Sequence, residues 1–437
     1  MRTDQMNIGE ALAWLDGHVN LEAHGAPPGR RVAAPTLDRI AALTALLGSP
    51  QVAYPVIHCT GTNGKTSVVR LTAELLGASG LSVGSYTSPH LQRVHERLDW
   101  NGDAISDEAL AEQLTLLADI EPHLDERPSY FELLTAAAFR WFADVAVDVG
   151  VVEVGLGGRW DATNVADGQV AVVTNVSIDH VEFLGSERRE IAEEKAGIVK
   201  TGATLVLGET DPGLLPAFSN RGQAATLRRE VDFEVQSNRL AHGGRQVGLV
   251  TPEASYEDLF LSLHGAHQAE NAAIALTAAE VFVGRPLDRD LVADVLANVR
   301  APGRLEAVAH DPLVLLDGAH NVAGAHALRA ALAEEFPEAR ETLVVGLLRE
   351  KEPHEMLRAL DAGRAAHLIA CRPPSARALD PELVAAAARD LGARSVEVVV
   401  DVADALDRAR DSTPDDGRIV VTGSLYVVGL ARTHLLS

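Results

Sequence analysis

Cysteine, aromatic residues and long apolar runs are scarce in this chain, and each scarcity excludes a class of protein. Two cysteines among 437 residues cannot form a disulfide framework, so we expect buried thiols in a reducing compartment. Aromatic residues make up 4% of the chain, which leaves alanine, valine and leucine to fill a core typical of parallel α/β layers. No uncharged run approaches the roughly 20 residues of a membrane span. Residues 1–21 also lack the apolar core of a signal peptide, so a cytoplasmic protein without a membrane partner is expected.

Basic residues are fewer than acidic ones, and the formal net charge is −24. Such a charge argues against nucleic acid or an anionic membrane surface as a partner and is typical of a solubilising acidic surface. An anionic substrate would therefore need a locally positive pocket. We expect small-molecule substrates, no nucleic acid and a monomer.

A strand, a glycine loop and a helix follow one another between residues 52 and 77. Residues 52–59 are apolar and β-branched, and residues 65–77 place their leucines and valines on one helical stripe. Gly61 and Gly64 allow the main chain between these elements to approach an anion, which the N–H groups at the start of the helix can bind. The pattern predicts a phosphate-binding loop.

The residues after this loop suit a nucleotide triphosphate. Lys65 supplies a cation for the outer phosphates, and a hydroxyl of Thr66 or Ser67 can bind Mg²⁺. The loop is a variant, because Cys59 stands where the strict pattern has its first glycine. The alternative is an ordinary glycine turn with an exposed lysine, which the strand and helix on either side disfavour.

Other polar residues lie at or just after the ends of predicted strands. Ser88 follows the strand 82–86, Glu153 ends the strand 145–154, and His180 follows the strand 170–176. If these strands are parallel, a hydroxyl, a carboxylate and an imidazole meet at one sheet edge and can form a Mg²⁺ site. His180 is the weakest of these ligands because Mg²⁺ prefers oxygen, and a core or capping histidine is its alternative.

Five further residues have good structural explanations of their own. Ser129 and Glu132 form a capping-box pattern at the start of a helix. Lys195 follows two glutamates and suits a surface salt bridge. Asp317 and His320 lie in a loop after a strand, where they could contact ribose and phosphate or simply form a turn.

Strands and helices alternate along most of the chain, which predicts α/β architecture. We expect a P-loop-type, doubly wound, mostly parallel sheet domain in residues 1–300 and a smaller Rossmann-like α/β domain in residues 301–437. Proline and glycine in residues 301–304 mark the boundary. A helix is predicted over residues 7–24, and residues 226–263 suggest antiparallel or peripheral strands.

Taken in order, the motifs of the chain resemble those of the folylpolyglutamate synthase/dihydrofolate synthase family, within the Mur ligase superfamily. They are Gly61-Thr62-Asn63-Gly64-Lys65-Thr66, Thr87-Ser88-Pro89-His90, Tyr130-Phe131-Glu132, Glu153-Val154-Gly155-Leu156-Gly157-Gly158-Arg159-Trp160-Asp161-Ala162-Thr163-Asn164, Asp179-His180, Glu194-Lys195-Ala196-Gly197-Ile198, His267-Gln268 with Asn271, Asp317-Gly318-Ala319-His320-Asn321 and Gly423-Ser424-Leu425-Tyr426. Each motif is weak alone, but the ordered set spans nearly the whole chain.

The resemblance implies an ATP-dependent ligase of folate biosynthesis and polyglutamylation. Members join L-glutamate to dihydropteroate or to the terminal glutamate of a folate through an acyl phosphate. A Mur-type ligase of a cell-wall peptide precursor is the alternative enzyme, and a nucleotide-binding switch is the alternative from another class.

The resemblance also implies a role for each matched residue. It assigns ATP binding to Asn63, Gly64, Lys65, Thr66, Asn271, Arg304 and Asp317, metal binding to Ser67, Ser88, Glu153, His180 and Lys195, catalysis to Lys65, Lys195 and His320, and substrate binding to Ser129, Tyr130, Phe131, Glu132, Trp160, Asp161 and Ala162. Lys195 would be carbamylated and could hold a second Mg²⁺. The chain departs from the family at Thr66, where bacterial members usually have glycine, and at His95, where asparagine is usual.

Overall fold

The computed structural model describes residues 5–24, 36–336 and 338–436. Its helices are α1 (Ile8–Asp16), α2 (Leu21–His24), α3 (Asp38–Leu46), α4 (Lys65–Ala78), α5 (Asp107–Ile120), α6 (Tyr130–Asp144), α7 (Val181–Leu184), α8 (Arg188–Lys195), α9 (Leu215–Phe218), α10 (His267–Val283), α11 (Arg289–Asn298), α12 (Val322–Glu335), α13 (Pro353–Ala359), α14 (Pro381–Asp390), α15 (Val402–Ser412) and α16 (Leu425–Leu436).

The strands form three sheets. They are β1 (Val56–Thr60), β2 (Val83–Tyr86), β3 (Leu98–Trp100), β4 (Asp103–Ala104), β5 (Val149–Glu153), β6 (Gly168–Val173), β7 (Thr204–Leu207), β8 (Ala225–Arg228), β9 (Glu234–Ala241), β10 (Gly244–Val250), β11 (Ser255–Leu261), β12 (Glu306–His310), β13 (Leu313–Leu316), β14 (Glu341–Val345), β15 (His367–Ala370), β16 (Val396–Val398) and β17 (Arg418–Thr422).

The largest sheet has the strand order β4-β3-β2-β5-β1-β6-β7-β8. The six strands from β2 to β8 in this order are parallel to their neighbours, whereas β3 and β4 form an antiparallel edge. Every residue of β1 and β5 is buried, as expected for central parallel strands covered on both faces. Strands β9, β10 and β11 form a separate sheet of three strands.

The third sheet has the order β12-β13-β17-β14-β15-β16. It is parallel except for β12, which pairs with β13 in the antiparallel sense. Leucine, valine and alanine fill its core, including Leu315, Leu343 and Val420. The predicted α/β class with two mostly parallel sheets is confirmed.

The chain divides into two compact units. The first holds the residues up to Asn238 together with Gln246–Leu261 and Ala269–Val299, and the second holds Arg239–Arg245, Ser262–Gln268 and the residues from Arg300 onward. Two short segments thus group with the second unit although they precede residue 301.

Two sequence predictions are wrong in detail. The helix expected over residues 7–24 is two helices, because Gly17 caps α1 and the chain leaves the helix until α2 begins. The strand expected from residue 145 begins only at Val149, since Val145 and Ala146 form the turn that ends α6. In residues 226–263, where antiparallel or peripheral strands were predicted, β8 is the edge strand of the main sheet and pairs in parallel with β7.

Candidate functional site

The carboxyl ends of four neighbouring parallel strands bring the predicted site residues together. Strands β2, β5, β1 and β6 lie side by side and run in the same direction. Glu153 is the last residue of β5, Ser88 lies two residues after β2, and the glycine loop follows β1. The loops at such an edge are where open α/β sheets bind their ligands.

The glycine loop turns into α4 at Gly64, which has a left-handed φ of 83°. A side chain at this position would meet the Asn271 carboxamide, because an added Cβ would lie 2.6 Å from Asn271 Oδ1. Asn271, which is predicted to bind the nucleotide, therefore lies against the loop. The first N–H groups of α4 have no partner within the helix, and such groups bind anions.

Two lysine side chains donate to one carbonyl of this loop. Lys65 Nζ lies 3.2 Å and Lys195 Nζ 2.8 Å from the oxygen of Gly61. Burial, reinforced by the positive charge of Lys65, lowers the pKa of Lys195 to about 7, although the charge of Asp179 opposes this shift. Lys195 is therefore no surface salt-bridge residue, since it is 3% exposed and its amine loses its proton more readily than that of an exposed lysine.

The Glu153 carboxylate is buried beside the first turn of α4. Thr66 Oγ1 donates to both of its oxygens at 3.1 and 3.0 Å, and the main-chain N–H of Ser88 donates to Oε2 at 3.3 Å. Ser67, the next residue of the helix, is also buried. One carboxylate with hydroxyl groups around it fits the oxygen ligands that Mg²⁺ prefers.

The predicted metal site does not contain a cluster of acidic or histidine side chains among the described residues. In the described ranges, no group of three or more His, Cys, Asp or Glu side chains could hold a metal ion. His180 precedes α7 with a left-handed φ of 50°, and its side chain is 38% exposed. Its main-chain N–H donates to the Asp179 carboxylate. The role of His180 as a metal ligand stays a prediction.

The residues predicted to bind the pteroate begin α6. The capping box is present, with Ser129 Oγ accepting from the N–H of Glu132 and Glu132 accepting from the N–H of Ser129. Arg39 Nε also donates to both Glu132 oxygens at 3.2 Å. The guanidinium of Arg97 lies 5.7 Å from the ring centroid of Tyr130. Capping and ion pairing thus account for Ser129 and Glu132 without a substrate.

Phe131 and Trp160 differ from these capping residues. The ring of Phe131 is partly buried, with its centroid 6.1 Å from that of Tyr86. Trp160 is 46% exposed, and its main-chain N–H donates to the Glu194 carboxylate. Both rings remain candidates for contact with a flat substrate.

Asp161 holds its own loop together. Its carboxylate accepts from the N–H of Leu156 at 2.9 Å and from the N–H of Thr163 at 3.0 Å, and it caps the turn that begins at Ala162. Burial raises the pKa of Asp161 to about 6, although the hydrogen bond from the Thr163 hydroxyl opposes this shift. These contacts explain Asp161 as a residue that shapes the glycine-rich loop.

The second unit contains the remaining predicted residues. Asp317 follows β13, and its carboxylate accepts from the N–H groups of Leu305 and Ala319 at 2.8 and 2.9 Å. Burial raises the pKa of Asp317, while the neighbouring Arg304 guanidinium lowers it. His320 Nδ1 donates to the carbonyl of Gly318 at 2.8 Å. Turn formation, the alternative considered for Asp317 and His320, is thus present.

Sequence reasoning gave no role to two contributors to the site. Asn175 lies in the loop after β6 and contacts the main chain of Asn63 in the glycine loop. Asp179 acts electrostatically on Lys195. Asparagine is common in loops, so no local pattern distinguished Asn175, whereas Asp179 was visible only as the neighbour of His180.

No helix among the described residues is both long enough and apolar enough to cross a membrane.

Comparison with known families and proteins gives matches over most of the chain. The model of the Mur ligase middle domain matches residues 59–279, and that of the Mur ligase glutamate ligase domain matches residues 303–425. A dihydrofolate synthase/folylpolyglutamate synthase of Mycobacterium tuberculosis is 40% identical over an alignment of 440 residue positions. The alignment covers 91% of this chain and 90% of that protein.

Solved structures agree with these matches. The folylpolyglutamate synthase of Mycobacterium tuberculosis complexed with ADP and AMPPCP has a TM-score of 0.87 and 41% identity, covering 92% of this chain and 95% of its own. A bifunctional folylpolyglutamate synthase/dihydrofolate synthase with Mn, AMPPNP and L-glutamate bound has a TM-score of 0.85 and 26% identity, with both chains fully covered.

The close approach of the glycine-rich loop to α8 gives a prediction for Gly158. An added Cβ there would lie 2.8 Å from the carbonyl oxygen of Glu194 and 3.0 Å from Cα of Lys195. Because main-chain atoms cannot move aside locally, we expect Gly158→Ala to destabilise the protein by about 1–3 kcal/mol in denaturant unfolding. Gly77→Ala is the control, because an added Cβ meets nothing within 4 Å in α4. It should stabilise by about 0.5–1 kcal/mol, and equal effects of the two substitutions would contradict the packing account.

Proposed function

The chain belongs to the dihydrofolate synthase/folylpolyglutamate synthase family of Mur ligases, and from this premise we propose what its residues do. It is an ATP-dependent ligase that joins L-glutamate to a pteroate or folate. The observation that supports the proposed roles is a group at the carboxyl edge of the main sheet, in which the partly buried Lys65 and Thr66 lie beside the buried Glu153 and Lys195.

The phosphate loop and α4 would bind the triphosphate of ATP. The N–H groups that begin α4 would donate to an anion, and Lys65 would add a cation at the outer phosphates. Asn271 lies against Gly64, close enough to contact the nucleotide. Arg304, Asp317 and His320 of the second unit are proposed as further nucleotide and catalytic contacts from the family motif.

Mg²⁺ would be held by the carboxylate of Glu153, the hydroxyls of Ser67 and Ser88, and the imidazole of His180. When bound, it would neutralise charge on the triphosphate. A second Mg²⁺ would be held by the carbamate of Lys195. Thr66 fixes the carboxylate of Glu153 by donating to both of its oxygens, so that the ligand is oriented before the metal binds.

The reaction consists of two displacements. An oxygen of the acceptor carboxylate attacks the γ-phosphorus of ATP, the bond to the β-phosphate oxygen breaks, and ADP and an acyl phosphate form. The amine nitrogen of glutamate then attacks the acyl carbon, the bond to the phosphate oxygen breaks, and the nitrogen loses a proton to leave an amide and inorganic phosphate. Lys65 would stabilise the charge that develops on the transferring phosphoryl group.

The acceptor would bind beside α6 and the glycine-rich loop. Phe131, with Tyr86 as its neighbour, offers a partly buried ring on which the pterin could stack, and Trp160 offers an exposed ring. Ser129, Tyr130, Glu132, Asp161 and Ala162 would line or shape this pocket. A monomeric state and a cytoplasmic location stay predictions.

The activity is tested by supplying acceptors one at a time to the purified protein with Mg·ATP. We expect ADP release that requires L-glutamate together with dihydropteroate or a reduced folate, and a glutamylated product identified by mass spectrometry. The function would be contradicted if the rate of ATP hydrolysis did not depend on either acceptor, or if only a cell-wall peptide precursor were ligated.

The metal assignment predicts a graded response to changes at Glu153. Glu153→Gln keeps the shape but removes the charge, and Thr66→Val removes the hydroxyl that donates to the carboxylate. We expect Mn²⁺ affinity in the presence of AMPPNP to fall about tenfold in Thr66→Val and further in Glu153→Gln. Electron paramagnetic resonance of free Mn²⁺ measures this. Unchanged affinity in Glu153→Gln would remove Glu153 from the site.

The lowered pKa of Lys195 predicts that this amine reacts with CO₂ near neutral pH. The neutral nitrogen attacks the carbon of CO₂ and releases one proton, which leaves a carbamate anion. A lysine of ordinary pKa is neutral in only roughly one molecule in a few thousand at pH 7. Protein in ¹³C-bicarbonate should show a carbamate resonance that weakens below the pKa of about 7 as the amine becomes protonated.

Lys195→Arg should lose this resonance and the ligase activity while remaining folded. Lys200→Arg is the control, since Lys200 is a partly buried lysine in the same region of the chain. Full activity of Lys195→Arg in CO₂-free buffer would refute the proposed carbamate.

A further inference from the structure

The loop that follows β6 is joined to the glycine loop by several hydrogen bonds. The N–H of Thr62 donates to the carbonyl of Asn175 at 3.0 Å. The Thr62 hydroxyl accepts from the N–H of Ser177 at 2.9 Å and lies 3.1 Å from the Ser177 carbonyl, to which it donates. The two loops therefore share one hydrogen-bonded junction at the edge of the sheet.

The side chain of Asn175 makes two hydrogen bonds to the main chain of Asn63 within this junction. Its Oδ1 accepts from the N–H of Asn63 at 3.1 Å, and its Nδ2 donates to the carbonyl of Asn63 at 3.0 Å. The Thr174 hydroxyl donates to the same carbonyl at 2.6 Å. One carboxamide thus bonds both polar groups of a single residue, as the main chain of a neighbouring strand would.

These bonds determine which N–H groups of the glycine loop can face an anion. The N–H groups of Thr62 and Asn63 both donate to Asn175, one to its carbonyl and one to its side chain. The N–H groups of Gly64, Lys65 and Thr66, at the start of α4, are then the ones placed to bind phosphate. A change in the orientation of the Asn63 peptide would rotate these groups away.

We propose that Asn175 is a positioning residue for the nucleotide, which acts by fixing the Asn63 peptide and so aiming the first N–H groups of α4 at the triphosphate. This inference rests on the proposed role of the glycine loop in binding ATP. It also connects the loop to Asp179 and His180, which follow Asn175 in the same segment.

The chemistry of the junction requires asparagine. One side chain must accept from the N–H of Asn63 and donate to the carbonyl of the same residue. A carboxamide holds such an acceptor and such a donor in one rigid plane. Aspartate has the same shape but no donor, so it would set a negative oxygen against the carbonyl of Asn63. Alanine would remove the acceptor of the Asn63 N–H and one of the two donors to the Asn63 carbonyl.

Nucleotide binding by variants at Asn175 tests the proposal. We expect Asn175→Ala and Asn175→Asp to raise the Kd of AMPPNP, measured by calorimetry with Mg²⁺, about tenfold or more, because each loses one or two neutral hydrogen bonds to the loop. The KM for ATP should rise in parallel, while the KM for the pteroate acceptor stays close to wild type and the thermal midpoint without nucleotide falls by only a few degrees. Asn298→Ala should change none of these values, since the Asn298 carboxamide donates to Asp294 within its own helix.

Three outcomes separate the possibilities. Asn175→Asp keeps the shape of the side chain and is informative even if Asn175→Ala fails to fold. Wild-type nucleotide affinity in Asn175→Asp would overturn the role of Asn175. A parallel loss of thermal stability, pteroate binding and nucleotide binding would also overturn it, in favour of a general structural role. Lys65→Ala tests the premise: unchanged nucleotide affinity in that variant would remove the ATP role of the loop itself.

Discussion

The hydrogen bonds from Thr66 to the carboxylate of Glu153 depend on two parallel strands that end side by side. Strand β1 leads through the glycine loop into the first turn of α4, and β5 ends at the carboxylate of Glu153. The register of the two strands pairs Cys59 with Glu153. Burial of a carboxylate is costly unless hydrogen bonds or cations compensate it. Thr66 and Ser88 supply those bonds here, and the rest of the site is arranged around a carboxylate whose orientation is fixed in advance.

Positive charge is concentrated locally on a strongly acidic protein. The net charge of −24 would repel a nucleotide, yet Lys65 and Lys195 meet at one carbonyl of the glycine loop. Their mutual repulsion adds to the effect of burial, so that Lys195 loses its proton far more readily than an exposed lysine. The closeness of Lys65 thus leaves Lys195 an amine that is more readily deprotonated.

The sequence was sufficient for the strands that carry the site because buried parallel strands are apolar and β-branched. Asp317 was correctly predicted to follow a strand, and the end of β5 was located to within one residue. Strand β12 was missed, since it lies at the edge of its sheet with no fully buried residue and has no continuous apolar run. Asn175 could not be found either, because its partners lie more than one hundred residues away in the sequence and meet only through the order of strands in the sheet.

A crystal structure with Mn²⁺ and AMPPNP tests the central claim most directly. The account predicts an anomalous Mn²⁺ peak about 2.0–2.3 Å from an oxygen of Glu153, with the phosphate oxygens within hydrogen-bonding distance of the N–H groups of Gly64, Lys65 and Thr66. A metal and triphosphate bound elsewhere on the chain, with Glu153 still bonded to Thr66 and no phosphate at the start of α4, would contradict it.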